Sequence, residues 1–194
     1  QDVIKVASAF KQGLDNKDIQ IYFNNEAIQE KFSSLGWSGE ILNTSKDYLN
    51  VVAANIGGGK TDKYINQNTN LYTEINQDGE IINTLTITRT HTGNIDDPFA
   101  DKNNLSFIRI YTPQGSKLLS TQGFTEVPVS HFEEADETWK NDQTLEQIQG
   151  ETWIDTNSET YINNEFNKTV FGNWLAIDPG ESKQVIVRYK LPFK

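Results

Sequence analysis

Cysteine and methionine are both absent from the 194 residues, and histidine occurs only 2 times. Without cysteine the chain has no disulfide, no thiolate metal site and no cysteine nucleophile. No apolar run approaches the roughly 18 residues that a membrane-spanning helix needs, and no signal peptide is recognisable. The chain begins at Gln1 rather than at methionine. We therefore expect a mature form or an excised fragment, with any membrane anchor lying outside it.

Positive charge is also scarce, with 17 Lys and Arg against 27 Asp and Glu and a formal net charge of -10. Nucleic-acid binding needs clustered Lys and Arg to neutralise phosphates, and the chain has no basic run. We therefore expect no nucleic-acid partner. The length suits one domain with a small appendage, and it is sufficient to bury a hydrophobic core.

The first part of the chain carries helical patterns. Apolar residues recur at helical spacing over 2–14, and a second such stretch ends at Gly36. Between them, residues 19–23 have the composition of a short strand. We predict that residues 1–42 form a small helical cap packed on the main domain.

From residue 43 onward the sequence is typical of an antiparallel β-sandwich. Leu85, Ile87 and Arg89 alternate with threonines, and a preceding Asp-Gly at 78–79 predicts a hairpin between 70–75 and 81–90. Weaker patterns favour one or two helical turns within 138–149 and strand-like pieces near 127–129 and 152–154. Further strands are predicted over 49–56, 105–112, 117–120, 168–177 and 183–191. Many short strands with frequent turns indicate a sandwich over residues 43–194.

The stretch VVAANIGGGKT, residues 51–61, comes within one residue of the phosphate-loop pattern G-x-x-x-x-G-K-[ST]. That loop requires a helix directly after it, because the helix N-terminus faces the phosphates. Residues 62–70 are rich in Asn and Thr, which compete with the helix backbone for hydrogen bonds. We therefore predict no nucleotide binding. The glycines instead indicate a bend where a buried strand ends.

The run DYLNVVAANIGGGKTDKY, residues 47–64, resembles the signature of the bacterial domain-of-unknown-function family 4012, D-Y-L-x-V-V-x-A-N-x-G-G-x-K-x-D-x-Y. Segments 18–23, 35–41, 111–120 and 179–192 are similar to other family segments. Ala53 departs from the family, where an acidic residue is common. The resemblance implies the extracytoplasmic C-terminal part of a larger protein of the cell envelope, with an N-terminal anchor. It implies no activity, because the family has none established.

Four residues are candidates for binding a ligand or partner. Asn55 and Lys60 flank the glycines of the signature stretch. Trp139 and Trp153 lie in a polar region, where we expect them to be exposed, and exposed aromatics are a modest indication of binding. Trp174 alternates with Ala176 in a clear strand pattern, and we expect it in the core.

Asn94, Asp96, Asp97 and Asp101 are grouped in the segment that joins two predicted strands. Calcium takes six to eight oxygen ligands, which such a loop can supply. Because the spacing fits no defined calcium loop, a polar connecting loop is the alternative interpretation, and it is favoured.

Two hypotheses for function follow. The first is a non-catalytic structural or binding module whose loops, chiefly 92–104 and 125–165, face a cell-wall polymer or another envelope protein. The alternative is an enzyme acting on envelope polysaccharide through the carboxylates of 133–137 or through His91. A triad of Ser130, His131 and Glu133 is excluded, because neighbours in sequence cannot reach that geometry.

Overall fold

The structure, a computed structural model, describes residues 2–98, 100–127, 132–134, 136–140 and 142–194. The protein is mainly β, with two antiparallel sheets packed as a sandwich and helices at the N-terminal end, as predicted. The chain divides into two compact units, Gln1–Asn43 and Thr44–Lys194.

The first unit contains helices α1 (Asp2–Asp15) and α2 (Glu26–Ser34). Asn25 caps α2, since its side-chain oxygen accepts a hydrogen bond from the Ile28 amide at 3.2 Å. The strand expected over 19–23 is wrong, because this segment pairs with no strand among the described residues. The Ile21 amide donates a hydrogen bond to the Trp37 carbonyl at 3.4 Å. In the described part of the chain, no helix is both long enough and apolar enough to cross a membrane.

The second unit is built from nine described strands, a short 3₁₀ helix at Thr61–Tyr64 and helix α3 (Gln143–Gln149). The strands are β1 (Asn50–Asn55), β2 (Ile65–Ile75), β3 (Ile81–His91), β4 (Asn104–Pro113), β5 (Lys117–Gln122), β6 (Trp153–Asp155), β7 (Thr160–Glu165), β8 (Lys168–Ile177) and β9 (Ser182–Lys190). The five-stranded sheet has the order β1-β4-β8-β7-β6, and the four-stranded sheet has the order β2-β3-β9-β5.

The hydrophobic core lies between the two sheets. Alternation along each strand turns one set of side chains inward, for example Leu85 and Ile87 on β3 and Ile108 and Ile110 on β4, all 0% exposed. β8 and β9 supply Phe171, Leu175, Ile177, Val185, Val187 and Tyr189 to the same cluster. Burying each such aliphatic or aromatic side chain contributes about 1.5–3 kcal/mol. This packing fixes which face of each sheet remains outside.

The hairpin of β2 and β3 forms as predicted, with eleven residue pairs in unbroken register from Ile65↔His91 to Ile75↔Ile81. The weak patterns over 138–149 and 152–154 correspond to α3 and β6. Of the strand-like piece at 127–129, residues 128 and 129 lie outside the described residues, and Val127 is not in a strand.

Strand β7 has no counterpart among the sequence predictions. It inserts between β8 and β6 with the sequence TYINNE. Asn163 and Glu165 are buried on its outward side, where hydrogen bonds rather than apolar contacts accommodate them. Both faces of β7 bury polar residues. Its sequence therefore lacks the alternation of apolar and polar residues by which a strand is recognised.

The glycine stretch forms a bend, as predicted, but the strand before it, β1, is half-buried rather than buried. The chain leaves β1 at Asn55, turns through Gly57 and Gly58 (φ +66°), and passes Lys60 in the left-handed region at φ 55°. A single 3₁₀ turn follows and leads directly into β2. The α-helix on which a phosphate loop depends is therefore replaced by a strand.

Candidate functional site

The outer face of the five-stranded sheet carries a cluster of aromatic side chains. Phe107 on β4, Tyr161 on β7 and Trp174 on β8 alternate with the core residues of their strands and so point away from the core. The ring centroids of Phe107 and Trp174 are 4.9 Å apart, and those of Phe107 and Tyr161 are 5.7 Å apart. Phe132 packs against Trp174 from the segment that follows β5, with 5.4 Å between centroids.

These four rings and Ile56 line a depression of about 400 Å³, which we call the aromatic groove. Its surface is mainly apolar, and three of its members remain substantially exposed, with Ile56 at 59%, Phe132 at 45% and Tyr161 at 38%. Ligand sites have this character, since they are concave and mostly apolar. The aromatic groove is therefore the first element of a candidate binding site.

A polar pocket of about 110 Å³ adjoins the aromatic groove, and Phe107 and Tyr161 line both. At its base lies Glu165, whose side chain is 2% exposed. The Glu165 carboxylate accepts hydrogen bonds from the Tyr111 hydroxyl at 2.8 Å, from Asn163 Nδ2 at 2.8 Å and from Arg109 Nη1 at 3.3 Å. Burial, reinforced by this bond to Glu165, raises the pKa of the Tyr111 hydroxyl well above its usual value, so Tyr111 is a hydrogen-bond donor at neutral pH.

Arg109 is the part of this polar cluster that reaches the surface. Its side chain is 34% exposed, and its guanidinium lies 5.7 Å from the centroid of the Tyr111 ring. Gln149 of α3 and Thr152 complete the polar lining of the pocket. The pocket thus places amide, hydroxyl and guanidinium groups beside the aromatic rings, as sites that orient a ligand require.

A third depression, of about 630 Å³, extends along the same face next to the glycine bend. Leu105 and Ala176 form its floor, two residues along β4 and β8 from Phe107 and Trp174. Its walls are Gly57, Gly58, Gly59, Lys102, Asn103, Thr125, Glu126 and Val127. The signature glycines therefore border the same outer face as the aromatic groove.

The two tryptophans predicted from the sequence to bind a ligand lie outside the aromatic groove. Trp139 and Trp153 are exposed as expected, at 59% and 48%, but neither lines the aromatic groove. Trp153 pairs with Ile162 on edge strand β6, on the core side of the sheet. The expected core position of Trp174 is wrong, because β8 is apolar on both faces and Trp174 lies on the outer one.

Asn55 belongs to a polar network beneath the glycine bend. Its Nδ2 donates to Thr61 Oγ1 at 3.4 Å and to Asp62 Oδ2 at 3.2 Å. Asn104 Nδ2 donates to the same two residues at 3.0 and 3.2 Å, and Thr61 is 0% exposed. These bonds tie β1, the 3₁₀ helix and β4 together, so Asn55 positions the bend. Lys60 is exposed at its tip.

Arg89 is a buried charge near this network that the sequence analysis did not select. It is 3% exposed on the inward face of β3, and its Nε and Nη1 have no hydrogen-bond partner among the described residues. Burial lowers the pKa of Arg89, and the charge of Asp62 opposes that shift. The signal in the sequence that indicates its position is the alternation that puts Arg89 on the same side of the strand as Leu85 and Ile87.

His91 is fully buried at the end of β3. Its Nδ1 accepts a hydrogen bond from the Gly93 amide at 3.0 Å, which leaves Nε2 to donate to the Lys102 carbonyl at 3.1 Å. Both ring nitrogens therefore hold the 92–102 loop in place. Of the other catalytic candidates, Ser130 and His131 lie outside the described residues, and Glu133, Glu134, Asp136 and Glu137 are exposed.

The four predicted calcium ligands are distributed along the loop after β3. Asn94 Oδ1 accepts from the Asp96 amide at 3.1 Å, and the Asp97 amide donates to the Asn94 carbonyl at 3.0 Å, as in a tight turn. Asp101 pairs with Lys102 at 2.9 Å. Within the described residues, no three His, Asp or Glu side chains are grouped so as to hold a metal ion.

Comparison with protein-family models, with curated proteins and with solved structures gives no match for this chain.

Proposed function

We propose that this chain is a non-catalytic binding module of a bacterial cell envelope, related to the family that its 47–64 signature resembles. Its ligand is a glycan strand of the cell-wall polymer, held in the aromatic groove. The observation that carries the proposal is the cluster of Phe107, Tyr161 and Trp174 on the outer face of a rigid sheet.

The groove combines two features that a sugar chain requires. The C–H faces of sugar rings are apolar and pack against aromatic rings, and tyrosine and tryptophan add a polar edge to that surface. Sugar hydroxyls need hydrogen-bonding groups, which Arg109, Gln149 and Thr152 supply in the adjoining polar pocket. An apolar surface with a few placed polar groups supports binding with a defined orientation.

The positions and hydrogen bonds of the acidic groups and of His91 support binding over catalysis. Polysaccharide hydrolysis needs two carboxyl groups facing each other across the scissile bond. In the described part of the groove and the polar pocket, Glu165 is the carboxylate present, and three donors hold it. His91 is buried with both nitrogens engaged.

Titration calorimetry with soluble oligomers of N-acetylglucosamine, used as the glycan probe, tests the proposal. We expect Trp174→Ala and Tyr161→Ala to weaken binding by about tenfold or more, as the loss of an aromatic anchor does. Trp139→Ala is the matched control, because Trp139 is exposed outside the groove, and it should bind like the original chain. Absence of binding by the unaltered chain, or equal loss in all three variants, would overturn the proposal.

The enzyme alternative is separated by product analysis of the same mixtures. New reducing ends detected by mass spectrometry after long incubation would identify a hydrolase and contradict a non-catalytic role. Unchanged oligomers together with Trp174-dependent binding would support the module.

A further inference from the structure

Strand β2 forms an edge of the four-stranded sheet that is open along its whole length. In the described part of the chain, β3 pairs with one side of β2, and no strand lies on the other. Ten of its eleven residues are exposed, and the first, Ile65, is half-buried. An edge of this kind presents a row of unpaired backbone N–H and C=O groups to another chain.

The other described sheet edges carry the protections that proteins use against strand addition. β6 has only 3 residues, and all 6 residues of β1 are half-buried rather than exposed. β5 is interrupted between Leu118 and Ser120, where its register against β9 shifts. Very short length, partial covering and bulges each oppose the pairing of another strand, and β2 has none of the three.

The sequence of β2, INQNTNLYTEI, also lacks the usual safeguards. It contains no Lys, Arg, Pro or Gly, and Glu74 is its single charge. Charged side chains and proline are the residues that block edge pairing most directly. The chain has a net charge of -10, but this edge strand carries only one charge. Its low charge favours contact with another chain.

Exposed apolar side chains accompany the open edge. Leu71 faces the core side, opposite Leu85 on β3, yet it is 41% exposed. Ile75 lies at the end of the same side and is 69% exposed. The five-stranded sheet leaves these side chains uncovered, so the strand offers apolar contacts as well as backbone hydrogen bonds.

We propose that β2 pairs with β2 of a second copy of this chain, antiparallel and centred on Asn70. In this register Asn70 faces Asn70 across a two-fold axis normal to the sheet, and all eleven residues of each strand are paired. Two four-stranded sheets become one eight-stranded sheet. Such a pair exchanges about ten backbone hydrogen bonds, since every second residue pair in an antiparallel ladder exchanges two.

The side chains of β2 are self-complementary in this register. On the core side, Ile65 of each copy meets Ile75 of the other, and Thr69 meets Leu71. On the opposite side, the single charge of Glu74 faces the neutral amide of Asn66, so no like charges are opposed. A two-fold contact is closed, and it therefore gives a dimer rather than a growing fibre.

Sedimentation velocity of the whole chain over a concentration series tests the dimer. We expect a reversible monomer–dimer equilibrium in the unaltered chain and only monomer for Asn70→Lys, because two lysines would then face each other across the axis. Gln184→Lys is the matched control. Gln184 is exposed on the same face of the same sheet but lies on β9, away from the edge, and that variant should still dimerise.

A mixing experiment fixes the register. Asn70→Glu alone should be monomeric, and an equimolar mixture of Asn70→Lys and Asn70→Glu should recover a heterodimer, since opposite charges then meet at the axis. Because Asn70 is exposed, the circular dichroism of each variant should match the original chain, and so should its Tm at concentrations low enough for the original chain to be monomeric. A monomer at every concentration of the unaltered chain, or a dimer that survives Asn70→Lys, would refute this pairing.

Discussion

The Tyr111 hydroxyl donates to the Glu165 carboxylate across 2.8 Å and thereby joins two strands that are not neighbours in the sheet. Tyr111 lies on β4 and Glu165 on β7, and β8 runs between them. Arg109 adds a second bond from β4 to the same carboxylate at 3.3 Å. The outer face of the five-stranded sheet is therefore braced across its width by a charged group that is almost fully buried.

Removing the carboxylate should destabilise the fold more than removing the hydroxyl. Glu165→Ala leaves the donors of Arg109, Tyr111 and Asn163 without their acceptor, and we expect a loss of about 2–4 kcal/mol in the free energy of unfolding. Tyr111→Phe removes one of three bonds and should cost about 1–2 kcal/mol. Urea unfolding measures both, with exposed Glu134→Ala as the control that should change little. Equal losses in Glu165→Ala and Glu134→Ala would contradict this account.

Gly93 occupies a position with no room for a side chain. A Cβ there would lie 2.6 Å from the Ala100 carbonyl oxygen and 2.6 Å from His91 Cε1. We expect Gly93→Ala to lower the free energy of unfolding by about 1–3 kcal/mol, because backbone must move to relieve the overlap. Gly57→Ala is the control, since a Cβ at Gly57 would lie 3.3 Å from its nearest neighbour, the Leu105 Cβ. Thermal unfolding should show a clearly lower Tm for the first variant only.

The buried tyrosines predict instability at alkaline pH. Burial raises the pKa of Tyr189 from its usual 10.0 to about 12. The folded state therefore holds this proton more tightly than the unfolded state, so the stabilisation is complete below about pH 10 and is lost as pH rises towards 12. Tm should fall over that interval, and Tyr189→Phe should make the fall shallower. Tyr22→Phe, which alters a tyrosine that is 77% exposed, should leave the slope unchanged.

The Thr61 hydroxyl should contribute more to the free energy of unfolding than the Thr61 methyl group does. Thr61→Val keeps the shape of the side chain but removes the acceptor shared by Asn55 and Asn104. Leaving buried amide donors short of partners costs about 1–3 kcal/mol. Thr86→Val, on the outer face of β3, is the matched control and should be near neutral or slightly stabilising, since valine favours strands. Similar unfolding curves for both variants would show that the network beneath the bend is dispensable.

Calcium should leave the stability of the chain unchanged. Asn94 Oδ1 closes a tight turn and Asp101 Oδ2 pairs with Lys102, which leaves Asp101 Oδ1 as a buried oxygen with no hydrogen-bond partner among the described residues. Within those residues no three His, Asp or Glu side chains are grouped so as to hold a metal ion, and one free oxygen is too few for calcium. A ligand that binds only the folded state raises Tm with its concentration. Thermal unfolding with added calcium and then with chelator measures this directly. A rise that the chelator reverses would instead establish a site among Asn94, Asp96, Asp97 and Asp101.

Much of the sandwich could be predicted because local signals agreed with the final fold. The β2–β3 hairpin has an Asp-Gly turn and strict alternation on β3, and both come from residues adjacent in sequence. The rejection of a phosphate loop rested in the same way on the poor helix formers after Thr61. The structure has a single 3₁₀ turn there, followed by a strand.

The aromatic groove could not be predicted in the same way. On β4, the inward residues Ile108 and Ile110 alternate with Phe107 and Tyr111, so the strand is apolar on both faces. Periodicity shows two faces but does not say which of them meets the other sheet. The groove also needs Tyr161 from β7, a strand whose buried polar residues conceal it. Only the pairing of β4, β8 and β7 brings the three rings together.

Gly172 lies at the centre of that outer face, between Arg109 on β4 and Tyr161 on β7. A Cβ at this position would lie 2.7 Å from Phe107 Cζ, so the ring lies over the backbone in space that any other residue would fill. One missing methyl group thus sets the depth of the groove and the passage to the polar pocket. Among related chains, a larger residue here would give the same sandwich a shallower surface and a different choice of ligand.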